Sequence, residues 1–295
     1  MIDLHTHTEY SDGSYTVREV LKEATKNGVT ILSITDHDKV DAHLELKNKD
    51  MSDIYNGRII TGAEFSASFN GIRIELLGYN IDIHEVKKWL DEMYSREKSE
   101  DENIKEFKSL YKLSLSKGIT LTEDLGYDPK NYPVDEIYYD IKRYQENMEF
   151  FTEDEWNNID VFWRKCSSDP NFIIYWDFSV RVPDAKEVSK IIRDAGGKVF
   201  LAHLYKYKVD NYENLLDNLR DEKIIDGVEV YYSTFSDDQI GCLEKYCREN
   251  NLFMSAGSDF HGWKKPERRV GKGFGNMDVP ETVIKPWVNL TKKQS

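Results

Sequence analysis

The sequence predicts a mixed α/β protein, with a parallel, barrel-like core and a mainly helical insertion. The first 34 residues read as strand, helix and strand, the unit that favours a parallel sheet. Short apolar segments with the length of buried strands recur in both halves of the chain. Composition changes between about residues 83 and 183. We therefore expect a core built from residues 1–82 and 184–295, and an insertion over 83–183.

The opening unit is defined by its helix signals. Thr16 and Glu19 have the spacing of a capping box, and apolar residues then recur at helical period until Gly28 ends the helix. Residues 2–6 and 30–34 read as the flanking strands. Later strands are predicted at 58–63, 72–79, 198–203, 226–232 and 252–257, and helices at 184–195 and 237–250.

The insertion is predicted from its amino-acid composition and residue spacing. It is rich in Glu, Asp, Lys, Tyr and Trp, and apolar residues such as Ile104, Phe107 and Leu110 recur at helical spacing. The segment 127–133 carries turn residues instead. The many aromatic side chains fit the interior of a helical segment; a substrate lid is the alternative.

Composition restricts the classes of function. The 295 residues carry a net charge of −14, which disfavours binding to an extended nucleic acid. No run approaches the roughly 18 apolar residues that span a membrane, and no secretory leader is recognisable, so we expect no membrane association. Three cysteines cannot build a disulfide framework, which predicts a cytoplasmic protein.

Histidines and carboxylates follow the predicted strands. His5 and His7 are two apart in an extended segment, so both side chains can bind one metal ion from the same side. The carboxyl ends of parallel strands meet at one edge, where active sites collect. The candidate ligands are His5, His7, Asp12, His37, Glu64, His203, Asp259 and His261. Imidazole with carboxylate suits zinc, manganese or iron, and this many ligands requires two or three divalent ions.

The order of these motifs, HxH, SDG, TDH, GxE, AH and GSDFHG, resembles the polymerase and histidinol phosphatase (PHP) family. The resemblance covers roughly residues 1–82 and 184–275. It is strongest to stand-alone metal-dependent phosphoesterases with a helical insertion, which include nucleotide phosphatases and a 5′-to-3′ exoribonuclease. It implies a distorted (β/α)7 barrel and a trinuclear metal site.

The resemblance also implies how the ligands divide. One ion would take His5, His7, Glu64 and Asp259, a second would share Glu64 and take His203, and a third would take Asp12, His37 and His261. Relatives have a further histidine for the second ion, where this chain has Glu75. We expect Glu75 to bind that ion and, as a harder ligand, to shift preference from zinc towards manganese or iron. A weak or distorted second site is the alternative.

Substrate contacts are predicted from the same resemblance. Arg96 and Lys206 match positions that bind phosphate in relatives, and Tyr232 stands where many relatives have histidine. Solvated surface charge is the alternative for Arg96 and Lys206. His43 and His84 match no ligand position, and we expect both at the surface.

Three carboxylates are predicted to support the ligands from behind. Asp36 and Asp38 flank His37 and either orient ligands or cap the following helix. Glu229 either orients a ligand or lies at the edge of the core.

The predicted reaction is phosphoester hydrolysis. Divalent ions polarise phosphate and lower the pKa of bound water, so hydroxide attacks phosphorus and no protein nucleophile is needed. Neither a GxSxG elbow nor a P-loop occurs in the sequence. We expect a phosphomonoester of a small metabolite or nucleotide as substrate. A 5′-3′ exonuclease acting on short RNA or DNA and a degenerate metal-binding partner module are the alternatives. The sequence carries no indication of oligomeric state.

Overall fold

The computed structural model describes residues 1–177 and 181–289. They form two compact units. The core unit comprises residues 1–90 and the chain from residue 182 onward, and the insertion unit comprises residues 91–181.

Short strands make up two sheets in the described part of the core unit. They are β1 (Ile2–Asp3), β2 (Ile31–Leu32), β3 (Arg58–Ile59), β4 (Gly62–Phe69), β5 (Ile72–Tyr79), β6 (Lys198–Leu201), β7 (Gly227–Tyr232) and β8 (Phe253–Gly257). One sheet has the parallel order β1-β2-β3. The other has the order β4-β5-β6-β7-β8, in which β5 is antiparallel to both neighbours and β6, β7 and β8 are parallel.

Backbone hydrogen bonds join the two sheets. The Leu4 amide donates to the Ala256 carbonyl of β8 at 2.9 Å, and His37, beyond β2, forms a parallel bridge with Glu64 of β4. The predicted mixed α/β class is confirmed. The closed (β/α)7 barrel stays a prediction.

The β4–β5 hairpin differs from the single strand predicted at 58–63. That segment divides between β3 and β4, and β4 continues to Phe69. Asn70 and Gly71 make the two-residue turn with φ of 51° and 76°, the left-handed conformation that suits a tight hairpin. This Asn-Gly pair is the sequence signal that predicts such a hairpin. Glu64 consequently lies near the start of a long strand rather than at a strand end.

Helices pack around the sheets of the core unit. They are α1 (Val17–Asn27), α2 (Asp41–Asn48), α3 (Ile83–Met93), α8 (Ala185–Asp194), α9 (Tyr212–Asp221) and α10 (Asp237–Glu249). The predicted start and end of α1 are confirmed, because Thr16 and Glu19 form the capping box and Gly28 has φ of 74°. Ile83 and Leu90 of α3 are buried in the core unit, so the boundary with the insertion falls within this helix.

The described residues of the insertion unit are mainly helical. Its helices are α4 (Arg96–Ser116), α5 (Pro133–Ile141), α6 (Glu153–Asn157) and α7 (Ile159–Ser168). They enclose an aromatic-rich core in which the rings of Phe107 and Tyr127 stack 4.3 Å apart. A role as substrate lid stays a prediction. None of the described helices combines the length and apolar character needed to cross a membrane.

Gly257, the last residue of β8, leaves no room for a side chain. A Cβ there would lie 2.0 Å from the Cβ of His5 and 2.7 Å from its backbone nitrogen. We expect Gly257→Ala to lower the free energy of unfolding by about 1–3 kcal/mol, because this overpacking forces β1 away from β8. Thermal unfolding measures the change.

Gly241→Ala in α10 is the matched control. Nothing lies within 4 Å of a Cβ built there, so alanine should stabilise the helix by up to about 1 kcal/mol. Equal unfolding midpoints for the two variants would contradict the close approach of β1 and β8.

Candidate metal centre

The nine predicted metal ligands come together in the core unit. Each places a side-chain nitrogen or oxygen within 3.2 Å of at least one other member of the set. The set is His5, His7, Asp12, His37, Glu64, Glu75, His203, Asp259 and His261. The donors divide into three overlapping groups, described in turn.

The first group surrounds a point between β1, β4 and the end of β8. Nε2 of His5 lies 3.1 Å from both Nε2 of His7 and Oε2 of Glu64. Nε2 of His7 lies 3.3 Å from the same Glu64 oxygen and 3.2 Å from Oδ1 of Asp259. Ligands bound to a tetrahedral ion at 2.0–2.2 Å are separated by about 3.3–3.6 Å. The donor distances of 3.1 to 3.7 Å within this group lie close to that spacing.

The second group uses the other oxygen of Glu64. Oε1 of Glu64 lies 2.9 Å from Nε2 of His203, which in turn lies 3.1 Å from Oε2 of Glu75. Oε1 of Glu75 is 3.8 Å from Nδ1 of His37. Glu64 thus presents one oxygen to each of two groups, the arrangement of a carboxylate that bridges two ions. Glu75 faces this group from β5.

The third group contains the three ligands that the resemblance implies, with the His7 ring beside them. Oδ2 of Asp12 lies 3.1 Å from Nε2 of His261, and its Oδ1 lies 3.8 Å from Nε2 of His37. Nδ1 of His7 faces the same Asp12 oxygen at 3.6 Å. That nitrogen is buried and has no hydrogen-bond partner. When Nε2 of His7 binds an ion, Nδ1 carries the ring proton, which then points towards Asp12.

The donor chemistry fits divalent cations. Burial lowers the pKa of the His7 imidazole, but hydrogen bonds with Asp259 and Glu64 outweigh it and raise this pKa to about 9. Burial also lowers the pKa of the His203 imidazole, but hydrogen bonds with Glu64 and Glu75 outweigh it and raise this pKa to about 10. The buried carboxylates thus require nearby positive charge, which either imidazolium protons or bound cations supply. Nitrogen and oxygen donors together suit zinc, manganese or iron.

Glu229 of β7 lies directly behind the first two groups. It is fully buried, and its Oε1 lies 2.9 Å from Nδ1 of His5. Its Oε2 accepts the backbone N–H of His203 at 2.9 Å. Glu229 thereby turns Nε2 of His5 towards the donors and fixes the chain at His203, the arrangement in which an outer carboxylate orients a metal ligand.

Asp36 and Asp38 hold loops in place. Asp36 accepts the Thr8 N–H at 2.7 Å and the Ser11 hydroxyl at 2.6 Å, which fixes the loop that leads to the SDG motif. Asp38 accepts a backbone N–H of β4 at 3.0 Å. The alternative that they cap the following helix is wrong, because α2 begins after Val40 and has no side-chain cap.

Asp259 is oriented by two side chains. The Tyr232 hydroxyl donates to its Oδ2 at 2.6 Å, and Arg268 binds the same oxygen. Oδ1 is thereby left for the histidines of the first group. The predicted substrate-binding residue Tyr232 is 1 % exposed, so the structure places it behind Asp259 rather than at the surface of the pocket. Arg268 follows the GSDFHG motif without any periodic signal, which explains why sequence reasoning missed it.

A pocket of 320 Å³ opens over the centre. Besides seven of the ligands, its wall includes Arg73, Lys206, Tyr207 and Lys265. Lys206 is a predicted substrate contact; Arg73 and Lys265 are not predicted. Arg73 could be found from its spacing, because it lies two residues before Glu75 in β5 and shares its face of the strand. The side chain of Arg96 lies outside the described residues.

His43 does not lie at the surface as predicted. It is 4 % exposed, and its Nε2 lies 2.7 Å from the Ile34 carbonyl and 3.1 Å from the Gly62 nitrogen. It therefore ties α2 to the start of β4. His84 is exposed, as expected.

Residues 3–161, more than half of the chain, match the sequence profile of the PHP domain. The chain belongs to the PHP domain family. It is 26 % identical to a 5′-3′ exoribonuclease of Haemophilus influenzae, over 97 % of both chains. It is 35 % identical to the 5′-3′ exoribonuclease Rnm of Escherichia coli, over 28 % of both chains.

Solved structures share this PHP domain fold. A candidate metal-dependent phosphoesterase from Bifidobacterium adolescentis superposes with a TM-score of 0.60 at 20 % identity, over 98 % of this chain and 97 % of that one. An amidohydrolase from Chromobacterium violaceum gives a TM-score of 0.60 at 20 % identity, over 92 % and 89 %.

Glu229→Gln tests the support behind the centre of this PHP domain. Glutamine offers one acceptor oxygen where Glu229 serves both the His5 ring and the His203 amide. We expect metal affinity to fall about tenfold or more, measured by competition with a chromogenic chelator. The exposed Glu249→Gln should bind metal like the wild type; an unchanged affinity in Glu229→Gln would count against the orienting role.

Glu75→His tests the second group. Replacing the harder carboxylate with imidazole should raise the ratio of zinc to manganese bound from an equimolar mixture. Elemental analysis by mass spectrometry of the two proteins, with Glu249→His as control, measures that ratio. Identical metal content and identity in Glu75→His and wild type would refute a ligand role for Glu75.

Proposed function

We propose that the protein is a metal-dependent phosphoesterase that hydrolyses a phosphomonoester of a small metabolite or nucleotide. One observation carries the proposal: Glu64 presents its two oxygens to two separate donor groups, at 3.1 Å from His5 and 2.9 Å from His203. Paired ions bridged in this way stabilise the attacking and leaving oxygens of a phosphoryl transfer.

The proposed division of ligands follows the three groups. His5, His7, Glu64 and Asp259 would hold one ion, Glu64, Glu75 and His203 a second, and Asp12, His37 and His261 a third. When bound, divalent manganese, iron or zinc polarises phosphate oxygens and activates water for attack on phosphorus.

Side chains of the pocket wall would position the substrate. The pocket wall carries three positive charges, on Arg73, Lys206 and Lys265. They would attract a phosphate and neutralise its charge. The volume of 320 Å³ lies at the lower end of the range for small-molecule sites. A metabolite or mononucleotide therefore suits the pocket better than a long polymer.

A 5′-3′ exonuclease acting on short RNA or DNA is the second candidate. The full-length similarity to the Haemophilus influenzae exoribonuclease favours it. A net charge of −14 opposes a long nucleic acid track, so such an activity would be confined to short strands. Removal of single 5′ nucleotides and hydrolysis of a phosphomonoester would use the same metal centre. We place either activity in the cytoplasm.

An assay with Mn²⁺ over a panel of substrates tests the proposal. The panel contains nucleoside 5′-monophosphates, sugar phosphates and short 5′-phosphorylated oligonucleotides. We expect release of inorganic phosphate from at least one monoester, and a loss of at least about 100-fold in Asp259→Asn, because that ligand completes the first group. Glu249→Gln is the matched control for a lost surface charge.

The other outcomes separate the alternatives. Mononucleotide release from oligonucleotides, without hydrolysis of any monoester, would establish the exonuclease instead. Full metal loading with no turnover on any substrate would favour a degenerate module that binds metal for a partner.

A further inference from the structure

Lys265 lies against the third donor group. Its Nζ is 3.0 Å from Nε2 of His261 and 3.7 Å from Oδ2 of Asp259. Nε2 of His261 is the same nitrogen that faces Asp12 at 3.1 Å. A lysine ammonium therefore lies directly beside a proposed metal position.

We propose that Lys265 is a built-in cation that competes with the third divalent ion, so that this protein holds two ions tightly and the third weakly. The inference rests on the proposed function, because it concerns ions at the same centre. The number of donors alone allows three ions; the inference attributes the weaker binding of the third ion to Lys265.

The competition follows from the position of the ammonium beside the imidazole ring. Nζ of Lys265 lies 3.0 Å from Nε2 and 3.3 Å from Nδ1 of His261, next to the donor that the third ion would use. An ammonium that close to a divalent ion also repels it strongly. Because the lysine stem is flexible, Nζ can swing away, so the third ion is weakened rather than excluded.

The basic side chains beside the other two groups contact atoms other than the donors that face the proposed ions. Arg268 binds Oδ2 of Asp259 and leaves Oδ1 to the first group. Lys206 donates to the Tyr232 hydroxyl at 3.3 Å, and Arg73 donates to the Ser66 hydroxyl at 3.2 Å. These contacts leave the donors of the first two groups available to ions.

Exposure weakens the third group further. The side chains of Asp12 and His37 are 52 % and 30 % exposed, whereas that of Glu64 is 1 % exposed. Water and salt screen the attraction between an exposed carboxylate and a cation more effectively. When the third ion is absent, the Lys265 ammonium at the pocket wall supplies positive charge towards a substrate phosphate in its place.

Equilibrium dialysis against graded free Mn²⁺, with elemental analysis of the protein, tests the inference without any activity assay. We expect two ions to bind tightly to the wild type and a third more weakly. Lys265→Met should tighten the third ion at least about tenfold, because it removes the charge while keeping the length of the side chain. Lys265→Arg should resemble the wild type.

Lys264→Met is the matched control. This variant removes the same charge from the adjacent position, where Nζ of Lys264 donates to the backbone carbonyl of Asp12 at 3.0 Å. We expect less than about a threefold change in the affinity of the third ion.

Several results would overturn the inference. They are three ions of equal affinity in the wild type, an unchanged third ion in Lys265→Met, and equal effects of Lys264→Met and Lys265→Met. Each leaves the proposed phosphoesterase standing, since ions still bind. Failure of every protein to bind Mn²⁺ would overturn both proposals.

Discussion

The buried carboxylate of Glu64 is the interaction on which the rest of the centre depends. Its Oε2 lies 3.1 Å from His5, 3.3 Å from His7 and 3.2 Å from His37, and its Oε1 lies 2.9 Å from His203. Burial raises the pKa of this carboxyl, but the surrounding imidazoles hold it well below its usual range. A charge this deep is stable only because separate segments of the chain bring partners to it. The fold of the core unit can be understood as the framework that makes those segments meet.

The backbone contributes to that convergence at some cost. His203 and Asp259, ligands of different groups, have φ of 23° and 54°, in the left-handed region that side chains other than glycine rarely adopt. Such conformations cost of order 1–3 kcal/mol each and persist where the surroundings determine them. Glu229 fixes His203 through its amide, while Tyr232 and Arg268 fix Asp259 through its carboxylate. The network behind the ligands thus stabilises a backbone shape that brings the donors together.

The sequence predicts some parts of this arrangement better than others. The capping box at Thr16 and the helices α8 and α10 are local features, and periodicity suffices to find them. The candidate ligands could be named from the order of their motifs, although which nitrogens and oxygens face each other is visible only in three dimensions. The burial of His43 depends on contacts with Ile34 and Gly62, and no helical pattern contains that information. Lys265 and Arg268 lie in an irregular loop, where spacing carries no signal about contacts.

The β4–β5 hairpin links the accuracy of folding to the chemistry of the centre. Ser66 pairs with Glu75 and Glu64 pairs with Leu77, so both carboxylates project from the same face of the ribbon. A shift of register by a single residue would turn the Glu75 side chain to the opposite face, among the apolar residues that pack under α8. The two-residue turn at Asn70 and Gly71 allows only one alignment of the strands that flank it. The turn that lies between Glu64 and Glu75 in the sequence thereby determines whether both acidic ligands reach the centre or only one does.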